Sequence, residues 1–247
     1  MMSSKSEFTT KNIALAAIFT SLYVVFGFLK ISPIIGLPGQ AITAAAIVAP
    51  LIGIILGPYL GMLSAFLGGA VGFFFGSFSP LSLTSGVATA ACSGLIHNGK
   101  RIPALLVYLA LFLLLALYPS IGPVWLFPTY VWFQAIGLLV LLSPLLTVAT
   151  QKFHTSNDSG VFYAYFVTAL VSTLAGQIAG TLTLELIQVP DANYFLGTWV
   201  TTAFVYPIER TVIALGATLI GVALHKALAS SNLKYHLNQE SRKQKLP

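Results

Sequence analysis

Between positions 13 and 228 the chain has almost nowhere to place a charge. Eight apolar runs follow one another, at 13–29, 41–57, 59–78, 81–96, 103–118, 131–149, 161–187 and 198–228. Only 7% of the 247 residues are charged, twelve basic and six acidic, whereas a soluble domain carries about 25%. A soluble fold of this length has no means of covering its surface from that supply. The runs do not alternate apolar and polar residues, as strands of a membrane barrel do. In hydrocarbon a helix satisfies its own backbone hydrogen bonds, which an open strand does not. The expectation is an all-α, polytopic transmembrane helical bundle with six to eight spanning segments, multi-pass in a cell membrane. One transmembrane domain covers 1–229, followed by a basic cytoplasmic tail at 230–247.

The basic residues set the orientation. Lys5 and Lys11 precede the first run, Lys100 and Arg101 separate the fourth and fifth, and Lys152 follows the sixth. Lys226, Lys234, Arg242, Lys243 and Lys245 close the chain, and Lys30 and Asp191 remain for the other side. If all eight runs cross, the cations share one face and both termini are cytoplasmic. The net charge of +6 is then spent on the bilayer, and no nucleic-acid partner is implied. Cys92 is the single cysteine, which excludes an intrachain disulfide framework and a four-cysteine metal site. The polar start, "MMSSKSEFTTKN", leads into an apolar run without an A-x-A cleavage pattern, which reads as an uncleaved first helix.

Glycine is dense where a soluble helix would avoid it. In "GPYLGMLSAFLGGAVGFFFG" (57–76) the glycines keep four-residue spacing. Gly53, Gly57, Gly61, Ala65 and Gly69 form one row, and Gly68, Gly72 and Gly76 another. Such rows lie on one helix face, where small residues let membrane helices approach closely. Gly176 and Gly180 repeat the pattern in "AGQIAG". The rows serve packing within the chain, or docking of a partner subunit.

Ionisable groups within apolar runs are candidate sites. "VYPIERTV" (205–212) puts Glu209 and Arg210 about 16 Å along a helix from Thr198, near the middle of a bilayer, just after the helix-disturbing Pro207. Neighbours on a helix do not face each other, so these two pair only with help from a kink or another element. The alternative is that Arg210 receives a carboxylate or phosphate of a ligand through its fork of donors. Glu185, Asn193, Tyr206 and Gln40 complete the candidate contacts on polarity and depth. Trp125, Tyr130, Trp132 and Trp199 fit interfacial belts better than a stacking cage. No nucleotide-binding loop, H-E-x-x-H or G-x-S-x-G elbow is present. The chain reads as a non-enzyme that needs no metal and no cofactor.

With "KISPIIGLPGQAIT" and "IVAPLIGIILGPYLGMLSAFLGGAVGFFFG" in view, the first eighty residues resemble the substrate-binding S components of energy-coupling factor transporters, most of all the biotin-type members. The shared features are the turn at Leu56, Gly57, Pro58 and Gly61 with its glycine-rich helix, and small residues on the first helix. The chain is longer than such proteins, and "LLVYLALFLLLALYPSIGPVWLF" looks like additional material. The resemblance implies uptake of a small vitamin-like solute. It implies a loop after helix one that lids the pocket, and assembly with a transmembrane coupling subunit and two ATPase subunits. The docking face would be Ala14, Ala16, Ala17 and Ser21. The competing expectation is a self-sufficient, ion-coupled secondary transporter using Glu209 and Glu185.

Overall fold

The computed structural model describes residues 10–155 and 157–230. Lys5 and the basic residues beyond Ser230 lie outside them. The first helix, α1 (Thr10–Phe26), leads into a two-stranded antiparallel hairpin, β1 (Lys30–Pro33) and β2 (Ala41–Thr43). Then come α2 (Ala45–Leu56), α3 (Pro58–Phe74), α4 (Pro80–His97) and α5 (Arg101–Ala116). Short α6 (Pro123–Leu126) and a 3₁₀ turn (Pro128–Val131) precede α7 (Trp132–Leu142) and α8 (Pro144–Lys152). Two long helices finish the chain, α9 (Asp158–Ile187) and α10 (Ala192–Ser230).

The chain is therefore helical apart from the hairpin. α9 and α10 are each long and apolar enough to cross a membrane, and α7 with α8 makes a broken pair bent by 70°. α1, α2, α3 and α5 are apolar but shorter. The expected sixth run divides because Pro144 cannot donate a backbone hydrogen bond and Ser143 caps α8 by accepting from the Leu145 N–H at 3.2 Å. The carbonyls at that break are taken by Arg101, whose Nε donates to Leu141 O at 2.8 Å and whose Nη2 donates to Leu142 O. Arg101, read from sequence as an orienting charge, is thus also a structural clamp.

α9 is the hub. It packs on α4 most extensively and also meets α10, α8, α5 and α7, and its residues from Val171 to Thr181 are buried without interruption. Close approach depends on the small residues. A Cβ added at Gly176 would lie 2.0 Å from Thr89 Oγ1 on α4, and one at Gly53 would lie 2.1 Å from the Ala90 carbonyl oxygen. Most glycines of both patterns therefore serve packing inside the chain, whereas Gly76 has open space around it.

Lys100, Arg101, Lys152 and Lys226 gather at one end of the bundle, where Lys226 pairs with Asp158 at 2.7 Å. The hairpin closes the opposite end. On α1 the small residues divide. Ala16 faces α3, its carbonyl accepting from Ser64 Oγ at 3.3 Å, while Ala14, Ala17 and Ser21 are exposed.

Gly53→Ala is expected to force α2 from α4 and lower the thermal midpoint by several degrees. Gly197→Ala, on a helix with open space around it, should hold or raise it by up to about 1 kcal/mol of helix propensity. Scanning fluorimetry of the two variants in detergent measures the contrast.

Candidate functional site

A single turn of α10 organises the site. Pro207 cannot bond back to the Ala203 carbonyl, and the Trp132 indole Nε1 donates to that carbonyl instead, at 3.1 Å. The relaxed turn carries Tyr206, Glu209 and Arg210. Glu209 Oε1 lies 2.9 Å from Arg210 Nη2, an ion pair without the alignment of a hydrogen bond. The two neighbours thus pair, and the help comes from the hairpin: Ser32 Oγ donates to Glu209 Oε2 at 2.5 Å. The guanidinium stands 5.6 Å from the centre of the Tyr206 ring. Its Nε is buried without a partner among the described residues.

Arg210 and Tyr206 form one wall of a cavity in the middle of the bundle. α4 supplies Ser85 and Thr89, α9 supplies Gln177 and Thr181, and α1 supplies Tyr23. The space open to the centre of a water molecule is about 70 Å³. One water needs about 10–15 Å³ by that measure, so the cavity takes a cluster of waters or a small organic group. Gln177 Nε2 reaches Tyr130 Oη at 3.5 Å, and Gln177 Oε1 is unpartnered. A molecule in the cavity meets a cationic donor at Arg210, a free amide oxygen at Gln177 and two serine and threonine hydroxyls on α4.

The hairpin roofs this space with Ile34, Ile35, Ile42 and Thr43. It is latched to α10 by two side-chain bonds, beside a contact of the Ile35 backbone with the Tyr206 hydroxyl. One is Ser32 on Glu209. The other is the Gly36 carbonyl, which accepts from Tyr194 Oη at 2.5 Å. The loop at 34–40 is closed by Ile34 N–H donating to Gln40 O at 3.0 Å.

The chain matches no known family model, no curated protein and no solved structure. The site has to be read from its own geometry.

Of the six candidate contacts, Tyr206 and Arg210 line the cavity, and Glu209 stands behind Arg210. Glu185 is 1% exposed, and both its carboxyl oxygens lack a partner among the described residues. It lies one turn beyond Thr181 on α9, next to the cavity rather than on its wall. Gln40 is exposed in the hairpin loop and Asn193 is exposed in the first turn of α10, so neither reaches the cavity. Asp191 caps that turn instead, accepting from Asn193 N–H at 2.9 Å.

Two aromatic expectations are corrected. Trp199 and Tyr130 are buried, not interfacial. Their rings pack at a tilt of 42° with centres 4.7 Å apart, and Trp199 Nε1 donates to Ile121 O at 2.9 Å. Trp125 and Trp132 do keep exposed faces. Ser85, Thr89 and Thr181 were not among the candidates. The signal for them was a polar row at four-residue spacing, Ser85 with Thr89 and Thr173 with Gln177 and Thr181, inside apolar runs.

Ser32→Ala and Tyr194→Phe each remove one latch. A hydrogen bond to a charged group is worth about 1.5–3 kcal/mol, so Ser32→Ala should speed maleimide labelling of an Ile35→Cys reporter by about tenfold or more. Tyr194→Phe should give a smaller increase.

Proposed function

We propose that this chain is the membrane-embedded substrate-binding subunit of an ATP-driven importer of the energy-coupling factor type, taking up a small vitamin-like solute with an anionic group. One observation carries the reading: a partly open cavity of mixed polar and apolar lining, roofed by a latched hairpin, with an unpartnered Arg210 Nε on its wall. A guanidinium edge of this kind suits a carboxylate. Glu209 already offsets part of the charge, which favours a monoanion over a doubly charged phosphate. Gln177, Ser85 and Thr89 then select the polar groups on the rest of the solute.

The topology that goes with this reading has six to eight crossings and both termini in the cytoplasm, because Lys100, Arg101, Lys152 and Lys226 share one end. The exposed side of α1 at Ala14, Ala17 and Ser21 is the docking face for a transmembrane coupling subunit, which joins two ATPase subunits. Small residues there allow the close helix contact that membrane association needs. Ala16 supports the face from behind through α3.

A second reading is favoured by Glu185. A buried carboxyl without a partner inside a membrane segment is the mark of an ion or proton site, and an ion-coupled secondary transporter needs one.

The experiment is purification of the tagged chain from its native membranes in mild detergent, with mass spectrometry of co-purifying proteins and small molecules. ATPases, a second membrane protein and a bound organic anion are expected. Arg210→Lys keeps a cation beside Glu209 but loses the fork, and should retain the anion at least tenfold less at an unchanged thermal midpoint. Retention equal to the parent removes Arg210 from the site. Uptake by the purified chain alone in liposomes, lost in Glu185→Gln, replaces the importer reading with the second one.

A further inference from the structure

We propose that the groove between α3, α4 and α5, on the side of α4 away from the cavity, binds one anionic phospholipid. Its acyl chain lies along α4 and its headgroup phosphate is held by Lys100. α3 and α5 each pack on α4 rather than on one another, which leaves an apolar cleft of about 540 Å³. Val87, Ala88 and Ala91 of α4 form its floor, and Phe66 and Leu111 stand on its walls. From Leu83 to Leu95 it follows α4 for about 18 Å at 1.5 Å per residue. That is more than half of a hydrocarbon core of roughly 30 Å.

One end of this apolar length is electropositive. Tyr59 lines the cleft, and Lys100 Nζ stands 5.4 Å from the centre of its ring. Lys100 is exposed. The two ion pairs among the described residues are Glu209 with Arg210 and Asp158 with Lys226, so Lys100 has no carboxylate partner there. α3 begins at Pro58 and α5 at Arg101, and neither first turn has a side-chain cap. Pro58 and Pro103 carry no N–H, and the Arg101 and Ala104 N–H groups donate to the Gly99 and Lys100 carbonyls. The two helix starts therefore add little beside the C-terminal end of α4, and the Lys100 ammonium is the cation that faces an anion here. The charged end selects an anion, the apolar length selects a hydrocarbon chain, and a phospholipid joins the two. An apolar helix of another protein would fill the apolar part but leave the Lys100 cation unanswered.

The two faces of α4 then have separate tasks. Ser85 and Thr89 look into the cavity, and Val87, Ala88 and Ala91 look into the cleft. The lipid proposal stands independently of the importer reading.

The test is native mass spectrometry of the full chain in non-ionic detergent, titrated with palmitoyl-oleoyl phosphatidylglycerol or with phosphatidylcholine of the same chains. The expected result is one retained phosphatidylglycerol per chain, favoured at least tenfold over phosphatidylcholine. Lys100→Gln should abolish the preference, and Ala88→Phe, which fills the floor, should abolish retention. Val107→Trp, on the exposed rim of the cleft, blocks the groove without entering the core and should do the same if Ala88→Phe fails to fold. Equal retention of the two lipids by the parent chain overturns the proposal. So does phosphatidylglycerol bound as before in Val107→Trp. A protein chain captured by photo-crosslinking from position 107 in native membranes, in place of lipid, overturns it as well.

Discussion

Contact between helix backbones is the constraint on which the structure rests. Lipid tails are as apolar as leucine, so burying leucine between membrane helices gains little, and dispersion over close surfaces has to hold them together. Those surfaces exist where side chains have been removed. Gly53 lets α2 reach the Ala90 carbonyl, and Gly176 lets α9 reach Thr89. α4 is held from both sides in this way. The cavity is walled by residues of α4 and α9 next to these contacts, so its dimensions are set by helix spacing rather than by loops.

The second demand is that no backbone group be stranded in hydrocarbon. At two of its breaks the chain meets it with a side chain from elsewhere. The carbonyl freed by Pro207 is taken by Trp132, and those at the α7–α8 break by Arg101. The non-helical stretch after α1 satisfies itself by pairing as a hairpin. The irregular geometry at the two proline breaks is thus held by bonds between segments far apart in sequence, and that of the hairpin by its own local ladder.

This explains what was legible in advance. Hydropathy located the helices because burial in lipid acts on every residue of a segment. It also separated α2 from α3 at Gly57-Pro58, where the proline signal is local. It did not show the hairpin, since "KISPIIGLPGQAIT" becomes strand only by folding against itself. Trp199 read as interfacial because its composition suits a belt, and only the approach of Tyr130 and Ile121 makes its position interior. Arg210 stood out as a charge in the wrong solvent. Gln40 and Asn193 were attractive for polarity alone, and polarity does not report which way a loop or a first turn faces. Ser85 and Thr89 were hidden by the ease with which serine and threonine sit in apolar helices.

α10 has 39 residues, about 58 Å at 1.5 Å per residue, and Ser32 reaches it close to its midpoint. The roof of the cavity therefore descends to the level at which α10 carries its charges, instead of resting on the rim of the bundle. Raising it admits water beside Glu209 and Arg210 in the same movement. Between an interior with an effective dielectric constant near 20 and bulk water near 80, attraction between two charges falls about fourfold. Under the importer reading, a hairpin that lifts to admit a solute would also loosen the arginine from its own glutamate, with solvent as the switch.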